Sequence, residues 1–246
     1  MHVGIVGSGP RVVFVHGSVG NGQESWVEQR ALSDRFTLVI VDRPGFPPNP
    51  PVDRVDFEEH AGLVADLLED GDHLVGHSYG GVISLYAAAT RSESLRSLTV
   101  IEPPAFGLAR EREDVEGFIA LLIDFWGAGP RAPREFLARF IEEVGGRRAQ
   151  LPDPLPSALE QGARTLMVER GPWEADPPLD VLADASVPKL VVSGAHHFAF
   201  DAVCDVLEER LGAERAVLPG AGHPVQRAPG FNETLADFLD RSESDA

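Results

Sequence analysis

Six short apolar runs, set apart by longer stretches with helical spacing, constrain this fold more than any other feature of the chain. The runs are Val12 to His16 (VVFVH), Phe36 to Val41, His73 to Gly76, Leu95 to Ile101, Lys189 to Val192 and Arg215 to Leu218. Most are continuous in apolar residues, as strands buried on both faces are, and too short for helices. Between them the spacing predicts helices over Glu24–Ser33, Phe57–Leu68, Gly80–Ala89, Ala202–Leu211 and Phe231–Leu239. In the last, Phe231, Leu235, Phe238 and Leu239 follow the i, i+4, i+7, i+8 rule of a buried stripe. Strands alternating with helices imply an α/β fold: a mostly parallel central sheet with helices on both faces.

One stretch breaks the alternation. Between Pro103 and Val187 no strand signal occurs, and helical patterns (Val115–Phe125, Arg134–Val144, Ala158–Arg170) are joined by Pro- and Gly-rich segments. Trp126, Trp173 and several Phe and Leu residues need burial, which argues against a disordered linker. The expectation is a core of residues 1–102 and 188–246, with residues 103–187 forming a helical cap. Phe118, Leu122, Phe125, Trp126, Phe136 and Phe140 are candidates for lining an apolar pocket beneath it, although most such aromatics serve only to pack cap on core. Near the N-terminus, Gly4, Gly7 and Gly9 loosely imitate a dinucleotide-binding loop. Such a loop must open a helix whose amides meet a pyrophosphate. Here Pro10 and another strand follow, which predicts a hairpin-like turn instead.

The chemistry begins at Gly76-His77-Ser78-Tyr79-Gly80-Gly81, a G-x-S-x-G pattern between a short strand and a helix. A serine on so tight a turn sits at a strained backbone angle, so its neighbours two residues away must lack a Cβ. The turn exposes the Ser78 hydroxyl and aims a helix N-terminus at negative charge forming beside it. His16-Gly17-Ser18, directly after the first apolar run, can turn a backbone N–H toward the same point. The N–H groups of Ser18 and Tyr79 are therefore the expected oxyanion donors, and His16 is expected to pack the loop. Gly220-Ala221-Gly222-His223-Pro224 follows the last strand, where open α/β sheets place their sites. His223 is the natural base for a serine nucleophile at neutral pH.

In this order, and with Asp42-Arg43-Pro44-Gly45-Phe46 after the second run, these segments resemble the α/β-hydrolase fold family over nearly the whole chain. The resemblance implies a Ser-acid-His triad and a second, less usual feature. The family commonly places its acid in the loop after the penultimate strand, where this chain has His197. Some members instead use a carboxylate at the preceding strand end, which here is Glu102, fixed by Pro103 and Pro104. Glu102 is the first choice, Asp201 the second, and a Ser-His dyad the third. The implied activity is hydrolysis of an ester, thioester or lactone of a small to medium apolar molecule through an acyl-enzyme. The alternatives are a lyase, a C–C bond hydrolase or a non-catalytic small-molecule receptor.

Composition narrows the partners. Thirty-nine Asp+Glu against 21 Lys+Arg give a net charge of −18, which repels nucleic acid and anionic membranes. The single cysteine, Cys204, excludes an intrachain disulfide and a thiolate metal cluster. Adjacent His196 and His197 project in different directions, so no metal is expected, and no motif asks for a cofactor. No apolar run approaches the roughly 18 residues of a membrane span, and no signal-peptide pattern opens the chain. The expectation is a cytoplasmic enzyme with a small-molecule substrate, a homodimer being among the possible assemblies.

Overall fold

The computed structural model describes residues 1–145 and 150–244. Seven strands form one sheet in the order β1-β3-β2-β4-β5-β6-β7. In chain order they are β1 (His2–Gly7), β2 (Arg11–Val15), β3 (Thr37–Asp42), β4 (His73–His77), β5 (Ser97–Ile101), β6 (Lys189–Ser193) and β7 (Glu214–Val217). Only β1 runs antiparallel, to β3; every other pairing is parallel. The helices are α1 (Gly22–Ser25), α2 (Phe57–Leu67), α3 (Tyr79–Thr90), α4 (Glu113–Ala128), α5 (Pro133–Gly145), α6 (Ser157–Leu166), α7 (Leu179–Asp184), α8 (Phe198–Leu211) and α9 (Phe231–Ser244).

The strands' two-residue period divides one apolar run between two cores. Val13, Val15, Val39 and Val41 pack with α2, α3 and α8 residues such as Phe57, Ile83 and Leu207. Their neighbours Val12, Phe14, Leu38 and Ile40 pack on the opposite face with Trp26 and with Phe231 and Leu235 of α9. Phe14 is fully buried with its ring 5.0 Å from that of Trp26; truncation to Ala should cost about 3–5 kcal/mol. Cys204 lies on the buried face of α8, and burial pushes its thiol up to about 12.

Four sequence expectations need revision. The glycine-rich N-terminal turn connects β1 to β2, but these strands are not paired: β3 lies between them. Gly7 and Gly9 have φ of 94° and 115°, and a Cβ on either would stand 2.3 Å from a carbonyl oxygen, of Phe36 or Arg35. The glycines therefore serve chain packing. The single helix expected over Glu24–Ser33 is instead the short α1 and a 3₁₀ turn at Glu28–Leu32, with the buried Trp26 at the break. The helix expected to reach Arg170 stops at Leu166, because Val168 O and Arg170 N are taken by the backbone of Val55. Finally, α8 begins at Phe198, earlier than its apolar pattern implies, with the His197 ring accepting from Ala199 N at its start.

Among the described residues between 103 and 187 there are helices and 3₁₀ turns, and one isolated bridge at Glu169, but no strand. This segment has a small core of its own, in which Phe125 stacks on Phe136 at 4.4 Å beside Leu137, Ala163 and Leu166. Trp126 meets Trp173 edge-on at 5.4 Å.

Candidate active site

The turn between β4 and α3 has the shape its glycines require. Ser78 adopts φ 54° and ψ −127°, a region that side chains rarely occupy. A Cβ on Gly76 would lie 2.3 Å from Ser84 Oγ, and one on Gly80 would lie 2.3 Å from Val15 O. Ser78 N donates to Ile101 O at 2.8 Å, tying the turn to the end of β5. Tyr79 opens α3, so its N–H belongs to the first turn, which has no partner within the helix.

Three distant segments converge on the serine. His223 Nε2 lies 2.9 Å from Ser78 Oγ, and His223 Nδ1 lies 2.7 Å from Glu102 Oε2. Glu102 follows β5 at φ 43° and is fully buried. Its other oxygen accepts from Gly194 N at 2.7 Å and from His196 Nδ1 at 3.1 Å. The loops after β6 and β7 touch so closely that a Cβ on Gly194 would meet Gly222 O at 2.4 Å. His77 Nε2 donates to His223 O at 2.9 Å, fixing the backbone beneath the imidazole. The second acid candidate, Asp201, lies in the first turn of α8, 3.9 Å from Arg215.

Two charges in this corner follow from hydrogen-bond logic. Burial acts to raise the Glu102 carboxyl, but donors from His196, His223 and Gly194 outweigh it and hold it at about 2. His196 faces acceptors at both ring nitrogens, Glu102 at Nδ1 and Val144 O at 3.2 Å from Nε2, so both must carry protons. Burial opposes that charge, yet the Glu102 carboxylate prevails and the pKa of His196 is raised. His77 is held neutral at about 3, first by burial and then by its neighbour His223. Glu102, His196 and His223 stand close enough to suggest a metal trio. Each oxygen of Glu102 lies within hydrogen-bond distance of one imidazole, Oε1 of His196 Nδ1 and Oε2 of His223 Nδ1.

Ser18 and Tyr79 face the same cleft as Ser78. The walls of the cleft include Phe106, Leu122, Trp126, Phe140 and Phe200. Of the six aromatic and aliphatic candidates from residues 118–140, Leu122, Trp126 and Phe140 reach it. Phe118 packs between Phe106 and His197, and Phe125 and Phe136 stack on each other, all three away from the cleft. His16 is fully buried: Nδ1 bonds Gly17 O at 2.7 Å, and Nε2 accepts from Arg43 N at 3.0 Å.

Sequence reasoning missed three residues here. Nothing local to His196 shows that it touches a carboxylate 94 positions earlier. Arg43 sits inside a recognised loop but carries no motif role of its own. Glu169 lies in the strand-free segment, where no pattern marks it. Arg43 is fully buried and pairs with Glu169 at 2.9 Å, and Glu169 also accepts from Ser18 Oγ. Burial pushes the Glu169 carboxyl up, against the opposing pull of Arg43.

A model of the alpha/beta hydrolase family matches residues 12–232. The dihydrolipoyllysine-residue acetyltransferase component of the acetoin cleaving system of Pseudomonas putida is 30% identical over 94% of this chain, which spans 64% of that protein's length. The pimeloyl-[acyl-carrier protein] methyl ester esterase of Aeromonas hydrophila is also 30% identical, over 95% of this chain and 96% of the esterase. The structure of a thermophilic esterase from Thermogutta terrifontis superposes with a TM-score of 0.66 at 22% identity, covering 98% of this chain and 93% of that one. That likeness is one of fold.

Proposed function

The chain belongs to the alpha/beta hydrolase family, and on that premise we propose that it is a serine hydrolase cleaving an ester, thioester or lactone of a small to medium apolar acyl group. The observation that carries this reading is the continuous path from Ser78 Oγ through His223 to Glu102, with steps of 2.9 and 2.7 Å. In the first half-reaction His223 Nε2 takes the Ser78 proton as Oγ bonds to the acyl carbon. The carbonyl oxygen becomes an alkoxide held by the N–H groups of Ser18 and Tyr79. Collapse of this intermediate breaks the bond to the leaving group, which receives the proton from His223. Water then repeats the sequence on the acyl-enzyme and releases the acid. Glu102 keeps Nδ1 protonated and stabilises the imidazolium while it exists.

Residues 103–187 would act as the cap over this centre, since Leu122, Trp126, Phe140 and Trp173 give the cleft its apolar wall. The wall and the ester-cleaving relative both favour an acyl chain over a charged substrate. A receptor without turnover would have no need of a proton path aligned at both ends. Among the described residues no helix is long and apolar enough to cross a membrane.

A fluorophosphonate probe tests the proposal, because it reacts selectively with an activated serine. The protein should be labelled, and Ser78→Ala should lose both labelling and p-nitrophenyl butyrate hydrolysis, the latter by roughly 10⁴-fold or more. Labelling that persists in Ser78→Ala would end the reading.

A further inference from the structure

We propose that Arg43 is a positioning residue of the oxyanion hole: it holds and polarises the Gly17–Ser18 peptide so that its N–H is presented to the substrate. The inference rests on the serine-hydrolase reading above. It starts from the geometry of one peptide unit. The Gly17–Ser18 bond is trans, so the Gly17 carbonyl and the Ser18 N–H point in opposite directions. Two donors hold the carbonyl, His16 Nδ1 at 2.7 Å and Arg43 Nη2 at 2.9 Å. With the oxygen drawn to that side, the N–H is turned to the other, where Ser18 and Ser78 line one cleft. The loop lies directly against the nucleophile: a Cβ on Gly17 would be 2.8 Å from Ser78 Cβ.

A hydrogen bond to a carbonyl also draws electron density from the N–H of the same peptide, making it a stronger donor. A cation makes that effect larger, and a positive charge in a buried site favours an alkoxide forming a few ångströms away. Arg43 is such a cation. It is fully buried, with one carboxylate partner and, among the described residues, no hydrogen-bond partner for Nε or Nη1. Its guanidinium carbon instead lies 4.5 Å from the ring centre of Phe46 and 5.0 Å from that of Tyr79, whose N–H is the other proposed donor. A buried, incompletely paired guanidinium is expensive, and an apolar side chain of similar size would avoid the cost. Its position between the two oxyanion segments gives that cost a purpose.

The surrounding contacts agree. Glu169 accepts from Ser18 Oγ, which ties back the hydroxyl and leaves the backbone N–H as the group offered to the cleft. Val19, the next residue, is held at φ 80°, a conformation β-branched residues avoid. Gly162 of α6 crowds its carbonyl so tightly that a Cβ there would come within 1.9 Å. The loop is therefore clamped from both sides in an orientation it would not choose alone.

The test separates an oxyanion role from a merely structural ion pair. Arg43→Met alone would strand the Glu169 charge, so the working variant is Arg43→Met with Glu169→Gln, accompanied by Glu169→Gln and Arg43→Lys alone. Three quantities are read: kcat and KM on p-nitrophenyl butyrate, and affinity for an alkyl trifluoromethyl ketone, which forms an alkoxide adduct with the serine. The double variant should lose kcat by about tenfold to a hundredfold, less than deletion of an oxyanion donor outright. Affinity for the ketone should fall by the same factor while KM stays within about threefold. Glu169→Gln alone is the baseline from which the further loss in the double variant is counted, and Arg43→Lys should lose less than the double variant, one ammonium replacing the fork. Unchanged kcat and ketone affinity in folded protein would overturn the proposal, as would equal weakening of KM and ketone binding. Should the double variant not fold, Arg43→Lys decides: loss of ketone affinity without loss of KM supports the role, and no loss rejects it. Wild-type protein that fails to react with fluorophosphonate would instead overturn the hydrolase reading beneath it.

Discussion

The corner that carries Ser78 and the corner that carries Glu102 solve the same problem in different ways. At the first, strand end, strained serine and helix start fall within six consecutive residues, whose glycines are required because a Cβ would strike Ser84 or Val15. The second is assembled from three segments, since the end of β5 supplies the carboxylate, the loop after β6 supplies Gly194 and His196, and the loop after β7 supplies His223. The first corner is rigid because its backbone has no alternative. The second is rigid because one buried carboxylate is surrounded by donors. A local device should fail all at once, and a distributed one should weaken by degrees.

Within the distributed corner the largest expected loss comes from removing the charge at its centre. Glu102→Gln should lower kcat by about 10³- to 10⁴-fold with fluorophosphonate labelling slowed in proportion, since an amide cannot fix the imidazole tautomer. Titration of stability checks the same residue without substrate. Its folded pKa of about 2 lies below the ordinary value of 4.5, so its contribution is complete above about pH 4.5 and is lost as pH falls toward 2. Acid-unfolding curves of Glu102→Gln should lack that part of the slope.

Next comes the local corner. Gly80→Ala should lower Tm by several degrees and abolish most activity, because the added methyl must displace the end of β2 or the loop bearing Ser18. Milder effects are expected at the margin of the distributed corner. His196→Asn should cost roughly tenfold in kcat, the worth of one charge-assisted hydrogen bond, with KM little changed. Asp201→Asn should stay within about twofold, since its carboxylate accompanies Arg215 and not His223. Equal losses at positions 102 and 201 would contradict this reading of the acid.

The difference between the corners also explains what could be read without coordinates. The sheet was legible because parallel strands are apolar on both faces, and β4, β5 and β6 fall within a few residues of their apolar runs. β1 escaped this logic: as an edge strand it leaves Ile5 64% exposed, and its glycines suggested a turn. Ser78 and His223 stood out because tight turns demand glycine, and glycine patterns are visible in sequence. Glu102 could be named from its strand end and the prolines behind it. His196, Arg43 and Glu169 could not, because their partners lie 94 and 126 positions away in the chain and no spacing rule connects them. Helix ends were missed for a similar reason: the pairing of Val55 with residues 168–170 is a tertiary event that stops α6 early.

The interior position of Cys204 has a practical side. With its thiol covered by α8 and β6 and disinclined to ionise, maleimide dyes should pass the native chain by. A cysteine introduced at Ile123, a 48% exposed site on α4, would then be the sole reactive sulfur. One fluorophore placed there could report, during turnover, whether the surroundings of α4 change.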